Sequence, residues 1–263
     1  MEDKVKGKVE GAKVEEVEDI EVRITIIYDN RINSEVSDEL KKRLKSDWGF
    51  SALIEIKDNK ILFDAGAKYS VLKNNMDVLG IKPEEIDFIF ISHYHKDHYG
   101  GLFKFLEENQ NTTSITVFLP KGFGEREKNR IIKLGASVVE TTKLSRLFKN
   151  IATTGPMGTN IKEQSMIIMT TKGAVVITGC AHPGIIDIVR SVRVLTKDIQ
   201  LVMGGFHLLN TEVSEIKNII KELTKSSNKI CPCHCSGDET IRICKEEFKE
   251  QNIEGGVGKV IEL

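Results

Sequence analysis

Every histidine of this chain falls where an apolar, strand-like run ends. The six positions are His93, His95, His98, His182, His207 and His234. Asp64 follows the run KILF in the same way. Because the loops at the carboxyl ends of strands converge in α/β folds, residues placed there in separate segments can meet at one site. Histidines used only for packing would not share this position, so the pattern predicts a fold in which several strand ends meet.

Short runs rich in Ile, Val and Phe mix with amphipathic helical patterns along the chain. The predicted strands are 22–28, 51–56, 60–64, 87–92, 114–119, 165–170, 174–178, 199–203 and 257–263. The predicted helices are 36–46, 69–79, 100–108, 123–134, 185–195, 212–224 and 239–250. The apolar runs have strand length and end at turn residues. Because strands and helices do not alternate strictly, the pattern favours a layered α/β sandwich over a doubly wound sheet.

The central motif is the segment SHYHKDHYGG at 92–101. In extended backbone, residues two apart point to the same side, so His93 and His95 can bind one metal ion together. After the chain turns, Asp97 and His98 can reach a second ion beside the first. The glycines at 100–101 lack a Cβ atom, which allows a helix and a loop to approach closely. Imidazole and carboxylate donors suit zinc, iron, manganese or nickel better than calcium or magnesium.

The composition excludes several classes of partner. The 263 residues carry 38 basic and 39 acidic side chains, so no net field predicts nucleic acid or an anionic membrane as partner. No apolar stretch is long enough to span a bilayer or to act as a signal peptide, which predicts a cytoplasmic protein. Residues 1–20 are charged and predict a flexible leader, followed by one domain over 21–263.

The pair of motifs His93-x-His95-x-Asp97-His98 and Phe63-Asp64-Ala65-Gly66 resembles the metallo-β-lactamase superfamily. The resemblance covers about residues 20–263. It implies a four-layer αββα sandwich of two mixed β-sheets with outer helices. It also implies that Asp64 is not itself a metal ligand but holds the loop that carries the ligands.

Later motifs depart from the common pattern of the superfamily. Glu163-Gln164-Ser165 stands where a third-motif histidine is expected, and Cys180 stands in place of a metal-bridging aspartate. His182 is the natural replacement ligand, His234 matches the terminal histidine, and His207 has no counterpart. The variants GCAHPG, GGFHL and PCHCSG resemble the subgroup of dihydropterin ribofuranosylaminobenzene phosphate synthase, a condensation enzyme of methanopterin biosynthesis.

The resemblance implies a centre of two divalent metal ions, with zinc favoured over iron, manganese or nickel. The expected ligands are His93, His95, Asp97, His98, His182 and His234, with Cys180 as a further candidate. Two metals can lower the pKa of a shared water, which predicts hydrolysis of an ester-like bond. Asp97 would orient or deprotonate that water, and His207 would protonate the leaving group. The subgroup favours a phosphoester or phosphodiester in an anionic small molecule over a lactone or thioester, and the short, neutral chain disfavours an RNA-processing nuclease.

Two other functions remain open on the sequence alone. The subgroup's own reaction suggests a transferase that joins an aromatic amine to a phosphoribosyl donor. Alternatively, Cys231, Cys233 and Cys235 alternate, would share one strand face, and with Cys180 or Cys244 could supply four thiolates. That arrangement would make the chain a redox or metal-sensing protein. An odd number of cysteines without an export signal otherwise fits reduced thiols.

Some loop residues are weaker candidates. The segments Asp29-Asn30-Arg31 and Trp48-Gly49-Phe50 lie on loops that could reach the pocket, although turn and rim packing is the favoured interpretation. Tyr94 and Lys96 occupy the variable positions of the central motif and could contact an anionic group of the substrate. Lys121 fits such a contact or a plain turn equally well.

Overall fold

The structure is a computed structural model that describes residues 18–110 and 115–263. Nearly all of the predicted leader, residues 1–20, therefore lies outside the described residues. The first sheet contains β1 (Val22–Tyr28), β2 (Ser51–Ile56), β3 (Asn59–Phe63), β4 (Phe88–Phe90), β5 (Thr116–Pro120), β6 (Ser137–Thr141) and β13 (Val260–Glu262). The second contains β7 (Ser145–Phe148), β8 (Ile151–Thr153), β9 (Met166–Thr170), β10 (Gly173–Thr178), β11 (Ile199–Gly205) and β12 (Lys229–Cys233).

Both sheets are mixed. The first has the strand order β13-β1-β2-β3-β4-β5-β6, antiparallel up to β3 and parallel from β3 to β6. The second has the order β12-β11-β10-β9-β8-β7, in which β10, β11 and β12 are parallel and the remaining pairs antiparallel. Each sheet thus has a parallel part whose strand ends all lie at one edge.

Eight α-helices connect the described strands. They are α1 (Asp38–Lys41), α2 (Tyr69–Leu79), α3 (Lys96–Tyr99), α4 (Leu102–Asn109), α5 (Glu125–Lys133), α6 (Ile185–Val192), α7 (Val213–Ser226) and α8 (Asp238–Glu247). Most of the predicted elements are present, and the predictions for β1, β2 and α2 are correct to the residue. The predicted helix over 36–46 is only the single turn α1, and β6, β7, β8 and β12 were not predicted as separate strands.

Three layers of buried side chains hold the sandwich together. Alternation along β2 shows how they form, because Ala52 and Ile54 point into the core between the sheets while Leu53 points to the opposite face. That opposite face is covered by α2, α4 and α5. The outer face of the second sheet packs in the same way against α6, α7 and α8. The αββα sandwich that the resemblance implied is confirmed. No helix in the described part of the chain is long and apolar enough to cross a membrane.

The two glycines of the central motif allow α3 and α4 to lie against the loop after β3. A Cβ atom on Gly100 would stand 2.2 Å from the carbonyl oxygen of Ala67, and one on Gly101 would stand 2.3 Å from that of Ala65. Both distances are far below van der Waals contact. The close approach that the sequence predicted for these glycines is confirmed, and it fixes the loop that carries His93, His95 and Asp97.

Candidate metal centre

The strand ends of both sheets meet at one edge of the sandwich and bring the six imidazoles together. Neighbouring ring centroids lie 4.2–5.0 Å apart in the pairs His93–His95, His93–His98, His93–His182, His95–His182, His182–His207 and His98–His234. Two of these residues differ locally from the expectation of open loops. His98 lies within α3, and His234 begins a turn of 3₁₀-helix, His234–Ser236.

A three-histidine group forms the first half of the site. The members are His93, His95 and His182, and their ligand nitrogens all lie within 4.8 Å of one another. The loop after β4 supplies the first two and the loop after β10 supplies the third. Burial lowers the pKa of His93 well below its ordinary value, and burial also lowers that of His95. A lowered pKa favours the neutral form of His93 and His95, which is the form that binds a metal ion.

A mixed group forms the second half. Its members are Asp97, His98, Cys180 and His234, again with ligand atoms within 4.8 Å of one another. His98 Nε2 lies 3.1 Å from Cys180 Sγ, and His234 Nε2 lies 3.2 Å from Asp97 Oδ2. Burial lowers the pKa of His98 to about 3. Burial alone would raise the pKa of Asp97, but its hydrogen bond with His234 and the neighbouring imidazole charges outweigh this and lower it.

Asp64 fixes the tautomers of two of these histidines. Its carboxylate accepts hydrogen bonds from the Ser92 backbone N–H and hydroxyl, both at 2.7 Å, and it lies 2.7 Å from His98 Nδ1. Because Ser92 uses its hydroxyl proton on Asp64, its oxygen accepts from His93 Nδ1 at 2.9 Å. Both imidazoles then carry the proton on Nδ1 and leave Nε2 as a free donor atom. Asp64 thus contacts Ser92 and His98 from behind and belongs to none of the donor groups found among the described residues.

Glu163 has the corresponding place behind the three-histidine group, and sequence reasoning assigned it no role. Its Oε1 accepts from the backbone N–H groups of Gly179, Cys180 and Ala181 at 2.8–3.1 Å. Its Oε2 accepts from the His182 N–H at 2.9 Å and lies 2.7 Å from His182 Nδ1. Burial opposes ionisation, but the neighbouring imidazoles and these donors lower the pKa of this carboxyl. The sequence did contain a signal for this role: Glu163 stands just before an apolar run, at the position where the superfamily's third-motif histidine is expected.

Two of the weaker loop candidates also reach the site. Trp48 donates its indole N–H to Asp97 Oδ2 at 3.0 Å. Asn30 donates to the His234 carbonyl oxygen at 3.0 Å, and its own side-chain oxygen lies 3.0 Å from His234 Nδ1. The Asn30 amide thus holds the His234 ring from its Nδ1 side, while Nε2 faces Asp97. Rim packing was the favoured interpretation for both loops, and these contacts contradict it.

The donors present fit metal ions. His93 Nε2 is buried and has no hydrogen-bond partner among the described residues, which would be costly if nothing else bound it. The three-histidine group resembles a catalytic zinc site with three protein ligands, and the mixed group supplies nitrogen, oxygen and sulfur. Neutral imidazoles oriented from behind by carboxylates are the usual arrangement at such sites.

The cysteines do not assemble as the four-thiolate alternative requires. Cys231 and Cys233 lie in the core between the sheets with their sulfurs 3.9 Å apart. Because β12 ends at Cys233, Cys235 leaves that strand face and lies with Cys180 and His207, their ligand atoms within 4.8 Å of one another. Within residues 18–110 and 115–263 no group of four thiols lies close enough to hold a cluster.

A cavity of about 280 Å³ opens beside His95. Tyr94 and Phe123 line it with aromatic rings, which pack edge-on with centroids 4.7 Å apart. Lys121 and Lys162 line it from two different loops. Lys96 lies instead in a separate depression together with Arg126 and Arg130. The cavity thus combines an apolar wall with positive charge, next to the three-histidine group.

The αββα sandwich and the paired donor groups define the metallo-β-lactamase class of metal-binding proteins. The chain belongs to the metallo-β-lactamase superfamily. It is 31% identical over 266 residues to 7,8-dihydropterin-6-methyl-4-(beta-D-ribofuranosyl)-aminobenzene-5'-phosphate synthase of Methanocaldococcus jannaschii, in a match covering 83% of this chain and 90% of that protein. A family model described as anti-Pycsar protein Apyc1 matches residues 42–176.

Two further comparisons extend this result. A solved structure of a metal-dependent hydrolase of the β-lactamase superfamily superposes with a TM-score of 0.73 at 26% sequence identity, covering 92% of this chain and 99% of the other. Ribonuclease Z of Nanoarchaeum equitans is 40% identical over 68 residues, which is 25% of this chain and 21% of that enzyme. The similarity to the first structure therefore runs through nearly the whole fold, whereas the similarity to ribonuclease Z is local.

Proposed function

We propose that this protein is an enzyme, a metal-dependent hydrolase that cleaves an ester-like bond, with a phosphoester or phosphodiester ahead of a lactone or thioester. The observation that carries the proposal is the pair of adjacent donor groups, each braced from behind by a buried carboxylate. The solved hydrolase structure supports hydrolysis, and the phosphate in the name of the curated synthase supports a phosphorylated substrate.

The three-histidine group would hold one divalent cation and the mixed group a second, with zinc favoured by the nitrogen and sulfur donors. Bound there, the cations would supply a water of lowered pKa and polarise the substrate oxygen. Asp97 would orient that water or take up its proton, while Trp48 fixes the same carboxylate through the indole N–H. His207, exposed beside His182, would give a proton to the leaving group.

We propose further that the substrate is a small anionic molecule. The support is the cavity beside His95, whose lysines suit a phosphate group and whose aromatic rings suit a flat apolar moiety. Lys121 is exposed, so a bound anion could displace solvent from it without breaking a buried ion pair. The local match to ribonuclease Z makes single-stranded RNA the competing substrate, and an RNA oligonucleotide therefore belongs in the assay panel.

The test is to load reduced protein with zinc or manganese and assay phosphodiester, phosphomonoester, lactone, thioester and RNA substrates. Metal-dependent turnover of a small phosphoester, abolished in Asp97→Asn, is the expected result. Asp198→Asn is the matched control, because Asp198 precedes β11 at the opposite edge of the sheet. Absence of turnover on every substrate by protein that has bound metal would contradict hydrolysis.

The transferase is the second candidate, and the identity with the curated synthase is the observation that favours it. Its test is product formation from an aromatic amine and a phosphoribosyl donor, followed by chromatography. Product that appears only with both substrates, while the hydrolase panel stays silent, would replace the first proposal with this one.

A further inference from the structure

Cys180, His207 and Cys235 lie together although the superfamily's common motif accounts for none of them. They follow β10, β11 and β12 respectively, which are adjacent parallel strands of the second sheet. Their ligand atoms all lie within 4.8 Å of one another. Because the ends of three paired strands deliver them, this thiol–imidazole group is built by the sheet and not by a single flexible loop.

The backbone around the group makes room for the second thiol. A Cβ atom on Gly205 would stand 2.6 Å from Cys235 Sγ, which is far below van der Waals contact. Only glycine at this position avoids a clash with that sulfur. Both thiols are 4% exposed, and Cys235 Sγ donates a long hydrogen bond to the Cys180 carbonyl oxygen at 3.5 Å. His207 is held at φ 56°, a left-handed conformation that residues with a side chain rarely adopt. Its imidazole closes the group on the solvent side.

Two sulfurs and one imidazole nitrogen are a soft donor set, which selects thiophilic cations over calcium, magnesium or manganese. Neither Asp97 nor any other carboxylate belongs to this group of three. Cys180 belongs both to it and to the mixed group, so its sulfur lies between the two. A cation bound here would therefore share a ligand with the neighbouring site.

We propose that the thiol–imidazole group binds a thiophilic divalent cation such as Zn²⁺, in addition to any cation held by the three-histidine and mixed groups. On binding, each thiol gives its proton to solvent and forms a metal–sulfur bond, while the neutral imidazole donates a nitrogen lone pair. When a cation is bound here, His207 is a ligand and not the proton donor of the proposed hydrolysis, while the binding itself does not depend on which substrate the enzyme cleaves.

The experiment titrates fully reduced apoprotein with Co²⁺ under anaerobic conditions and follows the near-ultraviolet thiolate-to-cobalt charge-transfer band, with bound cobalt counted after gel filtration. In Cys235→Ser we expect the protein to lose one cobalt equivalent and more than half of the charge-transfer intensity, because both sulfur–cobalt bonds of this group are gone and only the bond from Cys180 to the mixed group remains. Cys180→Ser should lose nearly all of the intensity. Cys231→Ser, a buried thiol that faces Cys233 in the core, is the matched control and should keep the spectrum of the wild type.

His207→Gln provides a second variant that cannot fail through core packing, because His207 is exposed. It should bind the thiol-dependent cobalt at least tenfold more weakly while the remaining cobalt binds as before. The proposal is overturned if Cys235→Ser retains the wild-type band and cobalt count. It is equally overturned if His207→Gln leaves every affinity unchanged. These readouts are spectral and stoichiometric, so an inactive enzyme would leave their interpretation intact.

Discussion

The protonation of the central imidazoles is set by their neighbours. Four of them place Nδ1 against an oxygen acceptor: Ser92 for His93, Asp64 for His98, Glu163 for His182 and Asn30 for His234. Each contact holds its ring in one orientation and turns Nε2 towards the donor groups. The metal affinity of the site should therefore depend on residues that never touch the metal.

Glu163→Gln tests this dependence. A glutamine is nearly isosteric but cannot accept the backbone donors at 179–182 and the His182 ring with two carboxylate oxygens. We expect zinc affinity to fall by roughly 10–100-fold, as is usual when an outer partner of a ligand is removed. The measurement is competition against a fluorescent chelator. Glu222→Gln, an exposed change on α7, is the control, and equal affinities of the two variants would contradict the assignment.

Trp48→Phe tests the role of the hydrogen bond that the Trp48 indole N–H donates to Asp97. A hydrogen bond to a charged acceptor is worth about 1.5–3 kcal/mol, which predicts a fall in kcat/KM of roughly tenfold or more. Because Trp48 is 46% exposed, the fold should tolerate the change. Thermal unfolding run in parallel separates the two effects. A loss of activity that follows only from a lower melting temperature would assign Trp48 to packing.

Sequence patterns identified the side chains that cluster at the site better than the residues that hold those side chains in place. His93, His95, Asp97 and His98 were readable because a strand end and fixed spacing determine their geometry. Glu163 contacts the His182 ring and the backbone N–H groups of residues 179–182, which follow β10 in the chain. The contact forms because Glu163 precedes β9 while its partners follow β10, the antiparallel neighbour of β9, and no motif around Glu163 indicates that its carboxylate would hold a ligand loop.

At the scale of elements, Gln164 connects the two sheets. Its backbone N–H donates to the Ser92 carbonyl oxygen at 2.9 Å, and its Nε2 donates to that of Ile91 at 2.8 Å, both directly after β4. Its Oε1 accepts from the hydroxyls of Thr141 on β6 and Thr153 on β8, at 2.6 and 2.8 Å. One buried amide therefore joins the loop of the central motif to strands of both sheets.

Gln164→Leu should destabilise the protein by about 2–4 kcal/mol, because three buried polar groups lose their partner and each costs about 1–3 kcal/mol before relaxation. Urea unfolding followed by circular dichroism measures the change. Gln251→Leu is the control, because Gln251 lies in a partly exposed turn. This substitution should change the free energy of unfolding by less than about 0.5 kcal/mol. Equal midpoints for both variants would show that Gln164 does not connect the sheets.

A comparison of four strands shows which elements the sequence pattern could predict and which it could not. β1 and β2 were predicted to the residue because nearly all of their residues are buried and large aliphatic side chains dominate both segments. In β6 only Thr141 is buried and the other four residues are exposed or half-buried, so its SVVET sequence carries little hydrophobic signal. β7 is short and half-exposed at the edge of the second sheet. Such edge strands form because a neighbour offers hydrogen bonds, which their own residues do not reveal.

At the scale of the whole molecule, each donor group straddles the two sheets. The loop after β4 gives His93 and His95 to the first group, and α3 gives Asp97 and His98 to the second. Loops of the second sheet complete both groups. A bound cation therefore ties one half of the sandwich to the other. Removing it should weaken the whole fold and not only the site.

Chelation is the corresponding test. At a cation concentration of about 100 times the dissociation constant, binding contributes about 2.7 kcal/mol, which corresponds to a fall in Tm of roughly 5–10 °C when the metal is removed. Differential scanning calorimetry of the metal-bound and chelated protein measures it. In His93→Ala the shift should shrink, and an unchanged Tm in the wild type would contradict binding across the sheets.

The most direct test of the central claim is anomalous diffraction from crystals of the zinc-loaded protein, with data collected on both sides of the zinc absorption edge. The account predicts one peak at the three-histidine group and a second at the mixed group of Asp97, His98, Cys180 and His234. If crystals soaked in a zinc solution show no anomalous peak at either group, the account is contradicted.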